Sequence, residues 1–323
     1  MKHYLLLGAG FSRNWGGWLA AEVFDYLLGS PEIDEGLRDQ LWQKKRMGGF
    51  EAVLAGLQVD HLKSRRQKPD ERLAKFQVAL SDMFSQLNAA YEQTPFEFGS
   101  SRGYRVGEFL VKFDGIFTLN QDLLLERHYL NENVSLNSSN RWIGWEIPGM
   151  MPRDRNSALA GRENLGVWVP RDQPPTTSDR LQPIIKLHGS CNWSDESLGD
   201  LMVMGGNKAG LINQIPILKW NSEYFSDRLS ESDSRLMVIG YSFGDDHING
   251  QIIKAAETGN LKVFIVDPDG VDVLDKNHNA KIYSPGDLAK NLWPHMIGAS
   301  RRSLREIFGS DRAEHAKVMR FFD

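Results

Sequence analysis

The opening residues, MKHYLLLGAG, constrain the fold more than any other stretch of this chain. An apolar run from Tyr4 to Leu7 stops at Gly8-Ala9-Gly10, and Phe11, Ser12 and Arg13 follow. The run reads as a short buried strand. Gly8 and Gly10 lack a Cβ, so the turn can take unusual dihedrals and admit a phosphate close to the main chain. A helix is predicted around Gly17 to Leu28, with its N-terminal amides and positive dipole end facing the same place. This is how a dinucleotide-binding α/β domain begins. Arg13 stands where Gly-x-Gly-x-x-Gly would have its third glycine, which argues against a dehydrogenase.

Four more apolar runs read as strands covered on both faces: Gly115 to Thr118, Pro183 to Leu187, Leu236 to Gly240 and Leu261 to Val266. Helix-like stretches lie between several of them, including Gln121 to Leu130 and Asp246 to Glu257. That alternation predicts an α/β fold, a doubly wound (Rossmann-like) and mostly parallel sheet. At 323 residues the chain accommodates one such domain, residues 1–323, with an insertion. Apolar residues at helical spacing place a helical insertion at about 32–92, among them Leu37, Leu41, Phe50, Leu54, Phe76, Leu80 and Met83. An irregular or weakly β-structured excursion follows at about 131–180, carrying Trp142, Trp145 and Trp168. C-terminal helices are expected at about 299–322.

A net charge of −4 gives no support to direct nucleic-acid binding. The most basic stretch, Lys63 to Lys68, reads as a solvated loop between helices. The single cysteine, Cys191, excludes a disulfide within the chain and favours a cytoplasmic location. The N-terminus reads as a strand and not as a signal peptide, and no apolar stretch is long enough for a membrane span.

Three motifs fall just after predicted strands, where an open α/β sheet has its ligand crevice. Asn120, in Thr118-Leu119-Asn120-Gln121-Asp122, suits a ribose hydroxyl or a positioned water; Asp122 either caps a helix or holds an amide. His188, before Gly189, sits at a strand end as a candidate for proton transfer. In Gly240-Tyr241-Ser242-Phe243-Gly244, Gly240 ends a strand, and Ser242 with nearby amides can bind phosphate or ribose. Asp245, Asp246 and His247 read as N-cap and first-turn residues of the next helix. Asp267, before Pro268, is either an acceptor for adenosine ribose hydroxyls or a turn former.

In their order along the chain these motifs resemble the sirtuin superfamily. Gly8-Ala9-Gly10-Phe11-Ser12 looks like its Gly-Ala-Gly-x-Ser, and Thr118 to Asp122 is similar to Thr-x-Asn-x-Asp. His188-Gly189 matches the catalytic His-Gly, and Gly240 to Phe243 looks like Gly-Thr-Ser-Leu. Phe50-Glu51 resembles a helix start of the bacterial sirtuin-like branch. The four-cysteine zinc module of protein deacylases cannot be built from one cysteine, so no zinc is expected. The Pro-Asp-Phe-Arg segment is also missing. What remains resembles the zinc-less, sirtuin-like NAD⁺ hydrolases of bacterial antiphage defence.

The resemblance implies NAD⁺ as substrate, cleaved to nicotinamide and ADP-ribose during abortive infection. It implies Asn120 positioning ribose or water, His188 acting as general base or orienting the hydroxyls, and Asp122 on the carboxamide. The turn of Gly8, Ala9, Gly10 and Ser12, with Gly240 and Ser242, would hold the pyrophosphate, and Asp267 the adenosine ribose. No metal ligand is assigned. A constitutively active enzyme of this kind would kill its host. The resemblance therefore points to a regulatory partner, a HerA-type ATPase or a nucleotide-sensing protein, and to homo-oligomerisation. The tryptophans of the excursion are either interface anchors or core. Two alternatives remain: an NAD-dependent deacylase or ADP-ribosyltransferase, and a non-catalytic module sensing NAD⁺ or ADP-ribose.

Overall fold

The computed structural model describes residues 1–63, 71–99, 101–130, 141–153, 165–275 and 287–323. Most of the predicted Lys63–Lys68 loop and parts of the 131–180 excursion lie outside these residues. The chain starts with β1 (Lys2–Leu7), α1 (Ala9–Arg13) and α2 (Ala20–Gly29). Three helices follow, α3 (Glu35–Lys44), α4 (Gly49–Lys63) and α5 (Glu71–Tyr91), then α6 (Val106–Leu110) and β2 (Gly115–Thr118). Next come β3 (Gly144–Glu146), β4 (Met150–Pro152), β5 (Trp168–Pro170), β6 (Leu181–Lys186), β7 (Gly189–Asp195) and β8 (Gly199–Met202). The second half runs α7 (Lys208–Gln214), α8 (Pro216–Leu229), β9 (Ser234–Ile239), α9 (Asp246–Gly259) and β10 (Lys262–Val266). It ends with α10 (Asp287–Leu292), β11 (Met296–Ser300), α11 (Leu304–Gly309) and α12 (Arg312–Met319).

Seven strands form one sheet in the order β11-β10-β9-β1-β2-β6-β3, and every pairing in it is parallel. The chain builds outward from β1 to one side through β2 and β6, then to the other through β9, β10 and β11. This is the doubly wound α/β arrangement the alternation predicts. The five predicted strands occupy its centre; β3 and β11, short and half-exposed, are its edges. A second sheet, β4-β5-β7-β8, lies in and after the excursion.

Alternation along the strands explains the two covered faces. Leu5, Leu7, Ile116, Ile184, Met237 and Ile239 join a core with α6, α11 and α12. Tyr4, Leu6, Phe117, Ile185, Leu236 and Val238 face the other way, toward α8 and α9. A third core unites α2 through α5, where Val23, Phe24, Leu37, Leu41, Phe50, Leu54, Phe76 and Leu80 are buried together. The helical core thus starts with α2, ahead of residue 32.

Two helices differ from expectation. The helix predicted at Gly17–Leu28 is α2, starting three residues later, and a short helix that was not predicted, α1, precedes it. α1 starts directly at Ala9, and the chain breaks at Gly16 (φ +88°) and Gly17 before α2 begins at Ala20. A Cβ at Gly17 would lie 2.7 Å from the Ser12 backbone, so this break depends on glycine. The stretch Gln121–Leu130 is not a continuous helix. Its start is held open because Leu123 N–H donates to Asn88 Oδ1 and Leu124 N–H to Asp122 Oδ1. Only Leu125–Tyr129 is helical, as a π-helix, closed by Leu130 N–H to the Leu125 carbonyl at 2.9 Å.

Of the tryptophans of the excursion, two are core residues and Trp145 is half-buried against the same core. Trp142 and Trp168 are buried. The indole of Trp142 donates to the Val111 carbonyl, and that of Trp145 to the Leu130 carbonyl.

Candidate active site

Parallel register sets the site. Leu7 of β1 is level with Thr118 of β2 and Ile239 of β9, Thr118 with Lys186 of β6, and Ile239 with Val266 of β10. The residues just beyond this row are Gly8, Asn120, His188, Gly240 and Asp267. The sheet therefore gathers at one end most of the residues singled out in the sequence. Here β1 separates the two halves of the winding, the place where such sheets bind ligands.

The glycines there serve contact between two turns. A Cβ on Gly8 would lie 2.5 Å from the Gly240 carbonyl, and one on Gly10 2.7 Å from Gly240 Cα. Gly240 has φ +61°, and its own Cβ would fall 2.3 Å from the Gly10 backbone. The amides of Gly8, Gly10 and Phe11 donate to the carbonyls of Ile239, Gly240 and Gly8. The glycines thus have a packing role besides the phosphate contact expected of the turn: they let β1–α1 pack on β9–α9, and α1 has only five residues. Ala9 is exposed at the surface of the turn.

Ser12 is buried, and its hydroxyl accepts a 3.0 Å hydrogen bond from Asn120 Nδ2. The same nitrogen donates to the Gly8 carbonyl at 3.0 Å. A carbonyl can only accept, so this contact fixes which way the Asn120 amide faces. Oδ1 of Asn120 is left to act as an oriented acceptor.

Asp122 forms the turn that delays the π-helix. Its backbone carbonyl accepts from the Lys186 ammonium at 2.7 Å, and Lys186 also pairs with Glu126 Oε1 at 2.7 Å. Both side chains are almost wholly buried. This ion pair joins β6 to the π-helix beneath the Asn120 loop, and the sequence reading missed it. A lysine inside an otherwise apolar strand was the available signal. Tyr91 lies buried near Asp122; burial first, then the Asp122 charge, raises its phenol above the ordinary range.

His188 is fixed from behind. Its carbonyl accepts from Val203 N–H at 2.9 Å, and Gly189 turns the chain at φ +75° where a Cβ would strike the Leu201 carbonyl. The imidazole is 2% exposed, and its Nε2 lies 3.1 Å from Nε2 of His247 on α9. Asp245 completes the group. It stands at the N-cap position of α9 without making a cap bond, and its carboxylate meets the Lys208 ammonium at 2.9 Å. Lys208 also pairs with Glu51 of α4 at 3.0 Å, which ties the helical core to the site. Thus Asp245 and His247, expected as helix-start residues, occupy those positions while their side chains turn into the site.

Burial pushes the His188 imidazole down to about 3, against the nearby Asp245 charge and helped by Lys208 and His247. His247 is lowered too, chiefly by burial. Burial opposes the Asp245 charge, but His188 and Lys208 hold its carboxyl below the usual range. The ring nitrogens and the carboxylate lie within 4.8 Å of one another, a spread that suits a transition-metal ligand set. Lys208 already places a cation against Asp245.

A stability prediction follows. An unfolded His188 takes up a proton near pH 6.5, whereas the folded one stays neutral to about pH 3. Between these values the unfolded state binds more protons, so stability falls as pH falls from 6.5 toward 3. Urea denaturation should show the unaltered chain losing about 2 kcal/mol more than His188→Gln between pH 7.5 and pH 5. Parallel losses in the two proteins would refute the assignment.

The loop carrying these groups is strained. Phe243, fully buried, has φ +55°, and Asn249 Nδ2 holds its carbonyl at 2.8 Å. The Tyr241 hydroxyl accepts from Asp245 N–H and donates to Asn249 Oδ1, both at 3.0 Å. Ser242 projects from this loop and is exposed. Asp267 lies at the end of β10, where its Oδ1 accepts from Asp269 N–H at 2.9 Å, a turn interaction.

Fold and site together define an α/β protein with a cluster of polar side chains at the carboxyl ends of a doubly wound parallel sheet. A family model described as a SIR2-like domain matches residues 114–284, more than half of the chain. The chain belongs to this SIR2-like family, which implies NAD⁺ binding and an NAD-related activity. The match covers Asn120, His188, Asp245, His247 and Asp267, while the Gly8–Ser12 turn lies before it. A solved structure described as "The Structural basis for Sirtuin Substrate affinity" is similar at 11% identity, over 98% of this chain and 93% of that one, with a TM-score of 0.35. No curated protein matches in a sequence comparison. Among the described residues, no helix is long and apolar enough to cross a membrane.

Proposed function

We propose that this chain hydrolyses NAD⁺ at the nicotinamide–ribose bond, giving nicotinamide and ADP-ribose. One observation carries the reading. Asn120 and His188 stand at equivalent places on neighbouring strands, each two residues beyond the register pair Thr118 and Lys186. Adjacent strands lie about 4.8 Å apart, so an oriented acceptor and an uncharged base stand side by side at the same end of the sheet.

The bond to be cleaved sets what the protein must do. Nicotinamide leaves as a neutral molecule, taking the bonding electron pair, and needs no proton from an acid. The ribose passes through an oxocarbenium-like state that water captures, and that water gives up one proton. Asn120 Oδ1 would hold a ribose hydroxyl or the water. His188, kept neutral by burial, would take the proton. Asp122 would face the carboxamide and Asp267 the adenosine ribose. Ser242 and the Gly8–Ser12 turn would lie along the pyrophosphate. Zinc has no part in this reading.

On the same reading the chain is the toxic effector of an antiphage system, and a partner releases its activity. A HerA-type ATPase ring or a nucleotide-sensing protein fits that role, with self-association of this chain. The test is incubation with NAD⁺ and no acceptor, alone and with the products of neighbouring genes. Nicotinamide and ADP-ribose should appear in equal amounts. Cleavage only when an acylated or nucleophilic acceptor is added would instead indicate a deacylase or transferase. Tight NAD⁺ binding without cleavage in any mixture would indicate a sensing module.

A further inference from the structure

We propose that His247 is a positioning residue for His188: it accepts the Nε2–H of His188 and so leaves Nδ1 of His188 as the basic nitrogen. The inference rests on the reading of His188 as the base in NAD⁺ hydrolysis. An imidazole with no partner exchanges its proton between its two nitrogens, and only one tautomer presents a lone pair to a given place. At 3.1 Å, Nε2 to Nε2, one of the two rings must donate and the other accept. The rings are tilted against each other, with centroids 5.2 Å apart and planes inclined at 38°.

Charges around the pair favour donation by His188. Both rings face Asp245 and Lys208, and His247 alone also faces Asp246; this second carboxylate makes His247 the better acceptor and His188 the donor. The Asp245 carboxylate stabilises positive charge developing on His188, and Lys208 keeps that carboxylate ionised and in place. When water attacks the ribose, its O–H bond breaks and the proton joins Nδ1 of His188. The resulting imidazolium keeps its Nε2–H bond to His247, with Asp245 as counter-charge. The proton leaves Nδ1 for solvent once the products depart. The net balance is NAD⁺ plus water giving nicotinamide, ADP-ribose and one proton. His247 thus serves His188 as a carboxylate serves the histidine of a hydrolytic triad, by fixing the tautomer and stabilising the cation.

The test uses the full chain labelled with ¹⁵N-histidine, and His247→Phe and His247→Gln variants. Phenylalanine fills the space without accepting a hydrogen bond, whereas the glutamine carbonyl can still accept one. In the unaltered protein the ¹⁵N shifts of His188 should show protonated Nε2 and unprotonated Nδ1. His247→Phe should give a mixture of tautomers, and His247→Gln should restore the single one. In NAD⁺ hydrolysis, His247→Phe should lower kcat about 10²-fold with KM changed less than threefold, and His247→Gln should recover at least tenfold of that loss. The acid limb of the kcat profile should move in His247→Phe.

Protonated Nδ1 on His188 would overturn the proposal, as would a tautomer indifferent to both substitutions. Ring shifts that change when EDTA is added would show a bridging metal ion in place of the hydrogen bond, and would also overturn it. The NMR arm needs no NAD⁺. If the tautomer is as expected but no nicotinamide is released, alone or with the products of neighbouring genes, the hydrolase reading fails and the positioning role stands. Turnover with the opposite tautomer sinks the positioning role alone.

Discussion

Asn120→Ala is expected to lower nicotinamide release from NAD⁺ by at least about 100-fold, while costing only about 1 kcal/mol of folding stability. The two effects separate because of how the side chain is held. Its amide donates to the Gly8 carbonyl and Ser12 Oγ, which fixes the direction of Oδ1. Alanine removes that acceptor entirely. Asn120 is only half-buried, so water can replace its two internal hydrogen bonds and the fold loses little. Asn120→Asp sharpens the test, since aspartate keeps the acceptor but has no proton for the Gly8 carbonyl. It should be inactive as well, and less stable than the alanine variant at neutral pH because a carboxylate then faces a carbonyl. Nicotinamide quantified by chromatography, beside urea denaturation of all three proteins, decides the matter. Turnover of Asn120→Ala within threefold of the unaltered chain would remove Asn120 from the mechanism.

The second large effect concerns stability. Lys186→Met should destabilise the fold by about 3–5 kcal/mol, because it leaves the Glu126 carboxylate buried without its cation. Lys186→Met combined with Glu126→Met should recover most of that loss, since two apolar chains of similar volume remove both charges together. Denaturant midpoints of the two single variants and the double variant form a cycle that isolates the coupling. Equal destabilisation by the single and the double variants would mean that the ion pair does not hold this region. The Lys186 ammonium also binds the Asp122 carbonyl, so its loss loosens the loop that presents Asn120. Lys186→Met should therefore impair NAD⁺ turnover as well, at temperatures where it is still folded.

Much of the architecture was legible because it rests on local pattern. Tyr4–Leu7, Gly115–Thr118 and the three later runs are short, apolar and bounded by turn residues, as strands covered on both faces must be. Edge strands carry a weaker signal. Gly144–Glu146 and Met296–Ser300 are half-exposed and short, so nothing in their hydrophobicity separates them from loops. The short helix α1 was not foreseen. Gly8 and Gly10 suggest a turn, but its close contact with Gly240, more than two hundred residues later, is not a local property.

The site divides in the same way. Asn120, His188, Gly240 and Asp267 were found because each follows a recognisable strand, and parallel register then brings them to one row. Asp245 and His247 looked like helix-start residues, since the local sequence contains nothing of His188 or Lys208. The Lys186–Glu126 pair was missed because a lone lysine does not name its partner on the π-helix.

The sequence by itself therefore determined which residues end the strands, because strand length and apolar pattern are properties of neighbouring residues. Only the tertiary structure decided what those residues touch. It gave the glycine signature a second role, as a contact between two turns, and set His247 and Asp245 beside His188. Such contacts join residues far apart along the chain. They arise when register and close packing align separate strands, and no local spacing encodes them.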